Sequence, residues 1–258
     1  MTSRWALILG ASSGFGAAAA LRLAKDGYHV AGVHLDRRAT LPQAEAVRAS
    51  VEAAGRRALF FNKNCVDPAN RKEVIEALRS GLGADGRVHV LLHSIAFGIV
   101  KPFLGEGAAT SDDLRLTSEM MGNDVVYWVQ ELSAAGLLGS PGRVLAMTSE
   151  GDRRVWRGYG PVSAAKCALE SNIRQLAVEL APLGITANCL LAGVTDTPAL
   201  RRIPGSEQMV EAALRRNPHR RLTRPEDVAD FISLLCDERA AWVTGGVLPC
   251  DGGETVSA

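Results

Sequence analysis

Trp5-Ala6-Leu7-Ile8-Leu9-Gly10-Ala11-Ser12-Ser13-Gly14-Phe15-Gly16 is the stretch that decides the fold. An unbroken apolar run enters a cluster of glycines and leaves as an alanine-rich helical pattern. That pattern extends to about Asp26 and is stopped by Gly27. Strand, glycine turn and helix in this order form the first βα unit of a parallel sheet. Glycines in such a turn let the backbone approach a pyrophosphate closely, and the unpaired N–H groups and dipole of the helix N-terminus favour its charge. Gly10, Ser12, Ser13, Gly14, Phe15 and Gly16 are therefore expected to line a dinucleotide-binding loop. Glycines can also serve only to pack a helix on a strand, so the reading rests on the placement of the loop.

Outward from this unit the same alternation continues. Strands are expected at His29–His34, Ala58–Asn62, Val88–His93, Val144–Thr148, Thr186–Leu191 and Val247–Pro249. A helix opens near Pro42 and closes at Gly55. Asp67-Pro68 supplies an N-cap and a first-turn proline for a helix to about Ser80. A long helix follows Ser111-Asp112-Asp113, and others cover Pro161–Leu180 and Pro225–Cys236. Continuous apolar strands separated by helices imply a parallel sheet covered on both faces. The expected architecture is a Rossmann-type doubly wound α/β sheet of about seven strands, in a single domain over 1–258. Ligands of such sheets bind beyond the carboxyl ends of the strands. The least regular stretch, 192–224, is expected to form a lid over that edge.

Composition agrees with a packed globular protein: 47% hydrophobic and 22% charged residues in 258, with net charge +1. That charge gives no bulk attraction to nucleic acid or an anionic membrane. The N-terminus lacks the features of a signal peptide, and no apolar run is long enough to span a bilayer. The five cysteines are scattered, odd in number and never in a CxxC pair, which argues against structural zinc or a disulfide framework. No metal site is expected, and a reducing cytoplasm is the expected compartment.

The glycine spacing is GxxxGxG, and with Pro225-Glu226-Asp227-Val228-Ala229, Val243-Thr244-Gly245-Gly246 and Asp251-Gly252-Gly253 the chain resembles the short-chain dehydrogenase/reductase superfamily over essentially its whole length. Members usually carry Tyr-x-x-x-Lys. Here Val162 stands four residues before Lys166, and the nearby tyrosine is Tyr159, seven before. Seven helical residues rotate about 700°, so the longer spacing still returns to one face, with an axial rise of about 10 Å instead of about 6 Å. Gly158 and Gly160 make the approach to the helix permissive.

Tyr-x6-Lys resembles the enoyl-acyl-carrier-protein reductase branch. So does His93-Ser94-Ile95-Ala96 in place of the Asn-Asn-Ala-Gly usual in carbonyl reductases, and so does Met121, which falls where those enzymes keep a helical asparagine. Ser149 departs from the pattern: many enoyl reductases have an aromatic residue there, whereas carbonyl reductases keep their catalytic serine. The resemblance implies Tyr159, Lys166 and Ser149 as the catalytic set. Ser94, Ile95 and Ala96 would lie beside the cofactor, Cys65 and Val66 by the adenine, and Ala192, Gly193, Thr195 and Thr197 in the loop that holds the nicotinamide amide. Tyr159 as a packed aromatic, Lys166 as a solvated charge and His93 as a strand-end histidine are the plain alternatives.

At the end of the second strand, an acidic residue suits a free ribose 2′-hydroxyl and an arginine suits a 2′-phosphate. His34 holds the position that is usually acidic in NAD-dependent relatives, Asp36 lies two residues later, and Arg37 and Arg38 follow. NADPH is therefore expected over NADH. Arg201, Arg202, Arg215, Arg216, Arg220, Arg221 and Arg224 crowd the lid and could attract an acidic carrier protein or coenzyme A phosphates; a solvated helix face is the plain alternative. Ile95, Phe97, Leu200 and Met209 could line an acyl tunnel or belong to the core.

The leading expectation is an enoyl-acyl-carrier-protein or enoyl-CoA reductase, taking an acyl thioester and hydride from NAD(P)H. A carbonyl reductase is the alternative, and a non-enzymatic dinucleotide sensor the third. The resemblance also implies a homotetramer.

Overall fold

The computed structural model describes residues 3–257; Met1, Thr2 and Ala258, within the expected 1–258 domain, lie outside the described residues. The chain alternates strand and helix: β1 (Arg4–Leu9), α1 (Gly14–Lys25), β2 (His29–His34), α2 (Leu41–Ala53), β3 (Ala58–Asn62), α3 (Pro68–Gly81) and β4 (Arg87–His93). After a long loop come α4 (Ser111–Ser118), α5 (Asp124–Ala134), β5 (Leu138–Thr148), α6 (Gly160–Leu180), β6 (Ile185–Ala192), α7 (Ser206–Arg216), α8 (Pro225–Cys236) and β7 (Val247–Cys250). All strand pairs are parallel, and the seven-stranded order is β3-β2-β1-β4-β5-β6-β7. This is the doubly wound sheet expected from the sequence. The order reverses between β1 and β4, which opens the crevice where ligands of such sheets sit.

Alternation along β1 divides the core. Trp5, Leu7 and Leu9 pack with Val74, Ile75 and Leu78 of α3, Val125 and Trp128 of α5, and Leu169 and Ile173 of α6. Ala6 and Ile8 face Ala19, Ala20 and Leu23 of α1, Val47 and Val51 of α2, and Val228 and Ile232 of α8. Successive strand residues point to opposite faces, so both faces of a central strand must be apolar and both are covered.

Three elements differ from expectation. The long helix after Ser111 is interrupted: a π-helical turn, Glu119–Asn123, separates α4 from α5. β5 begins at Leu138 rather than Val144, carrying Gly139 to Gly142 in a register shift against Val88 and Val90. The stretch 192–224 contains an ordered helix, α7, whose Glu207, Gln208, Met209, Ala212, Ala213 and Leu214 are strong helix formers.

Candidate active site

Gly10 ends β1 at φ +90°, and its N–H donates to the Val33 carbonyl at 2.8 Å. A Cβ here would lie 2.4 Å from the Ser94 carbonyl oxygen, and one on Gly16 would lie 2.1 Å from the Gly10 carbonyl oxygen. The turn is closed so tightly that only glycine fits. Ser13 at the head of α1 makes no side-chain cap, and no acidic residue stands in the first turn. The N–H groups of Gly14, Phe15 and Gly16 are thus left for an external anion. A Cβ on Gly14 (φ +54°) would lie 3.5 Å from the Thr197 methyl, so the loop after β6 covers the glycine turn. These features fit a bound pyrophosphate.

At the end of β2, Asp36 Oδ2 meets His34 Nδ1 at 2.8 Å. Asn62 fixes the Asp36 backbone through two bonds of 2.9 Å. Burial pushes the Asp36 carboxyl up, but hydrogen bonds from Thr40, Ser12 and His34 outweigh it and hold it below the usual range. Arg37 and Arg38 are exposed and join no ion pair among the described residues. Cys65 is buried and Val66 half-buried, and Arg71 Nη1 donates to both carbonyls, at 3.4 Å and 3.0 Å.

The Ser94 N–H donates to Leu9 O at 2.9 Å, tying the end of β4 to β1 across the crevice. Ile95 packs against the main core, and Ala96 is exposed. Beyond β6, Ala192 packs on the second core, and a Cβ on Gly193 would strike Thr223 Oγ1 at 2.4 Å. The buried Thr195 hydroxyl donates to Gly193 O at 3.0 Å, while Thr197 Oγ1 accepts from Leu200 N–H at 3.2 Å.

The remaining expected residues converge beside the same edge. Tyr159 is the N-cap residue of α6, with Pro161 in the first turn. Its ring packs closely against Gly151, where a Cβ would come within 2.2 Å of Cε1. Its hydroxyl stands 3.5 Å from Ser149 Oγ, at the outer limit of a hydrogen bond. Burial pushes the phenol pKa up, partly offset by Ser149. Lys166 is buried and donates from Nζ to the Met147 carbonyl at 2.7 Å. Burial lowers its pKa to about 8, against the opposing charges of Cys189 and Glu170. The ammonium therefore engages the sheet, and the phenol engages the serine. Burial, not the lysine, sets the direction of the phenol's shift.

Val162, in the usual tyrosine position, is buried with Met120, Met121 and Ala165, and Tyr159 and Val100 pack against this cluster. A Cβ on Gly98 would come within 2.6 Å of both Met121 Sδ and Val162 Cγ2. The two positions where carbonyl reductases keep an asparagine and a tyrosine thus touch the same glycine as apolar groups.

Of the expected acyl-lining residues, Leu200 is buried, Met209 half-buried and Phe97 49% exposed. Phe103 and Leu104 also stand exposed, and the Phe103 ring covers Gly160 beside Tyr159. Four of the seven lid arginines are engaged: Arg201 with Asp196, Arg215 with Glu211, Arg221 with Asp227, and Arg216 with Glu150 and Glu254. The basic lid is largely neutralised by its own carboxylates. The Arg216 cluster, which ties α7 to the loop after β5 and to the C-terminal segment, was not foreseen. Nor was Asp124, fully buried beside His93. The available signal was an acidic residue on the apolar face that carries Met120, Met121, Val125 and Trp128.

The sequence profile of the family described as Enoyl-(Acyl carrier protein) reductase matches residues 10–255. A 1-cyclohexenylcarbonyl-CoA reductase of Streptomyces collinus is 31% identical over 255 residues, covering 98% of this chain and 87% of that protein. A 3-oxoacyl-(acyl-carrier-protein) reductase of Aggregatibacter actinomycetemcomitans is 31% identical over 253 residues, covering 96% and 97%. A short chain dehydrogenase from Burkholderia cenocepacia, solved in complex with NADP, superposes with a TM-score of 0.84 at 29% identity over 98% of each chain.

Proposed function

The chain belongs to the Enoyl-(Acyl carrier protein) reductase family of short-chain dehydrogenases/reductases and is an oxidoreductase of that family, and from this premise we propose that it reduces the carbon–carbon double bond of a 2-enoyl thioester. One observation carries the finer reading: Met121 and Val162 form an apolar contact over Gly98, where carbonyl reduction uses polar groups. The phenol comes instead from Tyr159, outside the helix.

The nicotinamide cofactor of the family supplies hydride when bound. Gly10 to Gly16 would hold its pyrophosphate, Thr195 and Thr197 its amide, Cys65 and Val66 its adenine. Lys166 would turn from the Met147 carbonyl to the ribose hydroxyls. Tyr159 then donates a hydrogen bond to the thioester oxygen, where negative charge develops as hydride reaches the β-carbon. Burial keeps that phenol protonated and so able to donate. Ser149 Oγ stands 3.5 Å from that hydroxyl, within reach of it.

Carbonyl reduction is the second reading, favoured by the same Ser149–Tyr159 contact, because a serine beside the phenol is the pair that polarises a ketone. The test follows NAD(P)H oxidation with crotonyl and acetoacetyl thioesters side by side. Faster kcat/KM with crotonyl is expected; reduction of acetoacetyl alone would overturn the reading. We also propose NADPH as reductant, since Arg37 and Arg38 are unengaged while His34 already holds Asp36; a strong NADH preference in kcat/KM overturns this. The substrate is proposed to arrive on coenzyme A or acyl carrier protein, and the enzyme to work as a homotetramer.

A further inference from the structure

Against the loop after β6 lies a buried carboxylate that the reaction above does not use. Glu254, in the segment that follows β7, is 1% exposed. A compact turn puts it there. Asp251 accepts from the N–H groups of Gly253 and Thr255 at 2.9 Å and 2.8 Å, and from the Thr255 hydroxyl at 2.6 Å. Gly252 and Gly253, at φ +62° and +83°, supply the left-handed backbone that this turn requires. The buried Asn217 side chain, just after α7, donates to the Asp251 carbonyl at 2.9 Å and anchors the turn from outside.

Two other segments meet the Glu254 carboxylate. The Val194 N–H faces both oxygens, with nitrogen to oxygen distances of 3.4 Å and 3.3 Å. A Cβ on Gly193 would lie 2.8 Å from Oε2, so the carboxylate packs directly against that residue. From α7, Arg216 Nη2 donates to Glu254 Oε1 at 3.1 Å and to Glu150 Oε2 at 2.9 Å. Burial pushes the Glu254 carboxyl up, against the Val194 N–H and the Arg216 guanidinium. A carboxylate this deep keeps its charge only with such partners, and the backbone it grips belongs to the loop 193–197.

We propose that Glu254 is a positioning residue for the nicotinamide: it fixes the Gly193 and Val194 backbone from which Thr195 and Thr197 would hold the carboxamide. Arg216 orients the carboxylate and so links this loop to α7. The inference rests on the assignment of the loop to the nicotinamide, not on the choice between enoyl and carbonyl substrate. It acts through the main chain. The Thr195 hydroxyl donates to the Gly193 carbonyl at 3.0 Å, so a shift of Gly193 carries the threonine with it. Thr197 Oγ1 accepts from Leu200 N–H at 3.2 Å, which ties the far end of the loop to the chain leading into α7. Without Glu254 the Val194 N–H loses its acceptor in a buried place, and the loop is free to relax. The phosphate and adenine ends of the cofactor would be held by Gly10 to Gly16, Cys65 and Val66, on strands that Glu254 does not touch.

Calorimetric titration with two nucleotides separates positioning from packing. One is whichever of NADPH and NADH binds tighter; the other is the matching ADP-ribose, which lacks the nicotinamide. In Glu254→Ala the dinucleotide is expected to bind about tenfold more weakly, the low end for a lost hydrogen bond to a charged group, while the ADP-ribose binds within about twofold of the parent. Glu254→Gln keeps an acceptor for the Val194 N–H and is expected to restore dinucleotide binding to within about threefold. Both nucleotides weakening together in Glu254→Ala, or neither weakening, would overturn the proposal. So would a Glu254→Gln protein that loses as much as Glu254→Ala. A parent that binds the dinucleotide no tighter than its ADP-ribose would instead overturn the assignment of the loop, and the inference with it.

Discussion

Tyr159 and Lys166 are placed by different physics. The tyrosine sits outside α6 because Gly158 (φ +78°) turns the chain and Pro161 starts the helix. The lysine sits inside α6, where burial works against its charge. Tyr159→Phe is expected to lower kcat by about 10²-fold or more, the scale for a positioned proton or oxyanion donor; steady-state NADPH oxidation reads it. Ser149→Ala is expected to lower kcat/KM for crotonyl thioester by less than about tenfold, because the tyrosine still reaches the oxygen. A loss of about 10²-fold or more would mean that Ser149 works as in ketone reduction. The lowered pKa of Lys166, about 8, has a defined sign. The ammonium is present below that pH and lost above it, so NADPH affinity of the free enzyme is expected to weaken as pH rises through 8. Fluorescence titration from pH 6 to 10 checks this, and Lys166→Met should remove the dependence.

At the scale of elements, α7 is held by Arg216, whose guanidinium bridges Glu150 and the buried Glu254 at 2.9 Å and 3.1 Å. Arg216→Ala strands Glu254 without its partner and is expected to cost about 3 kcal/mol, as for a broken buried pair. Urea denaturation measures the loss, and faster proteolysis within 194–224 would show the helix released. Strand, turn and helix at the N-terminus were legible because each local preference agrees there: an apolar run, glycines at required positions, then alanines. α7 was not, because its helix formers lie among arginines, Pro204 and Gly205 that read as loop. The start of β5 was hidden by Gly139, Ser140, Pro141 and Gly142, which carry turn chemistry yet run on as strand. The π turn is set by packing of Met120 and Met121 against α6, which no local pattern encodes. The candidate catalytic residues Tyr159, Lys166 and Ser149 were proposed from their order along the chain; Asp124 and the Arg216 cluster depend on contacts between segments far apart in sequence.

For the molecule as a whole, the sheet is covered on both faces, yet α8 and the segment leading to β7 leave Leu234, Trp242 and Val243 64%, 98% and 37% exposed at one edge. Exposed apolar groups of this size mark association surfaces. Light scattering is expected to find a tetramer, and Trp242→Ser to shift it toward smaller species at micromolar concentration. The apolar contact over Gly98 also constrains redesign. A tyrosine at Val162 alone would press a phenol against the Met121 thioether, and an asparagine at Met121 alone would bury an amide beside Val162. An engineer installing polar groups in this pocket would therefore change both positions together, so that each new side chain meets a partner.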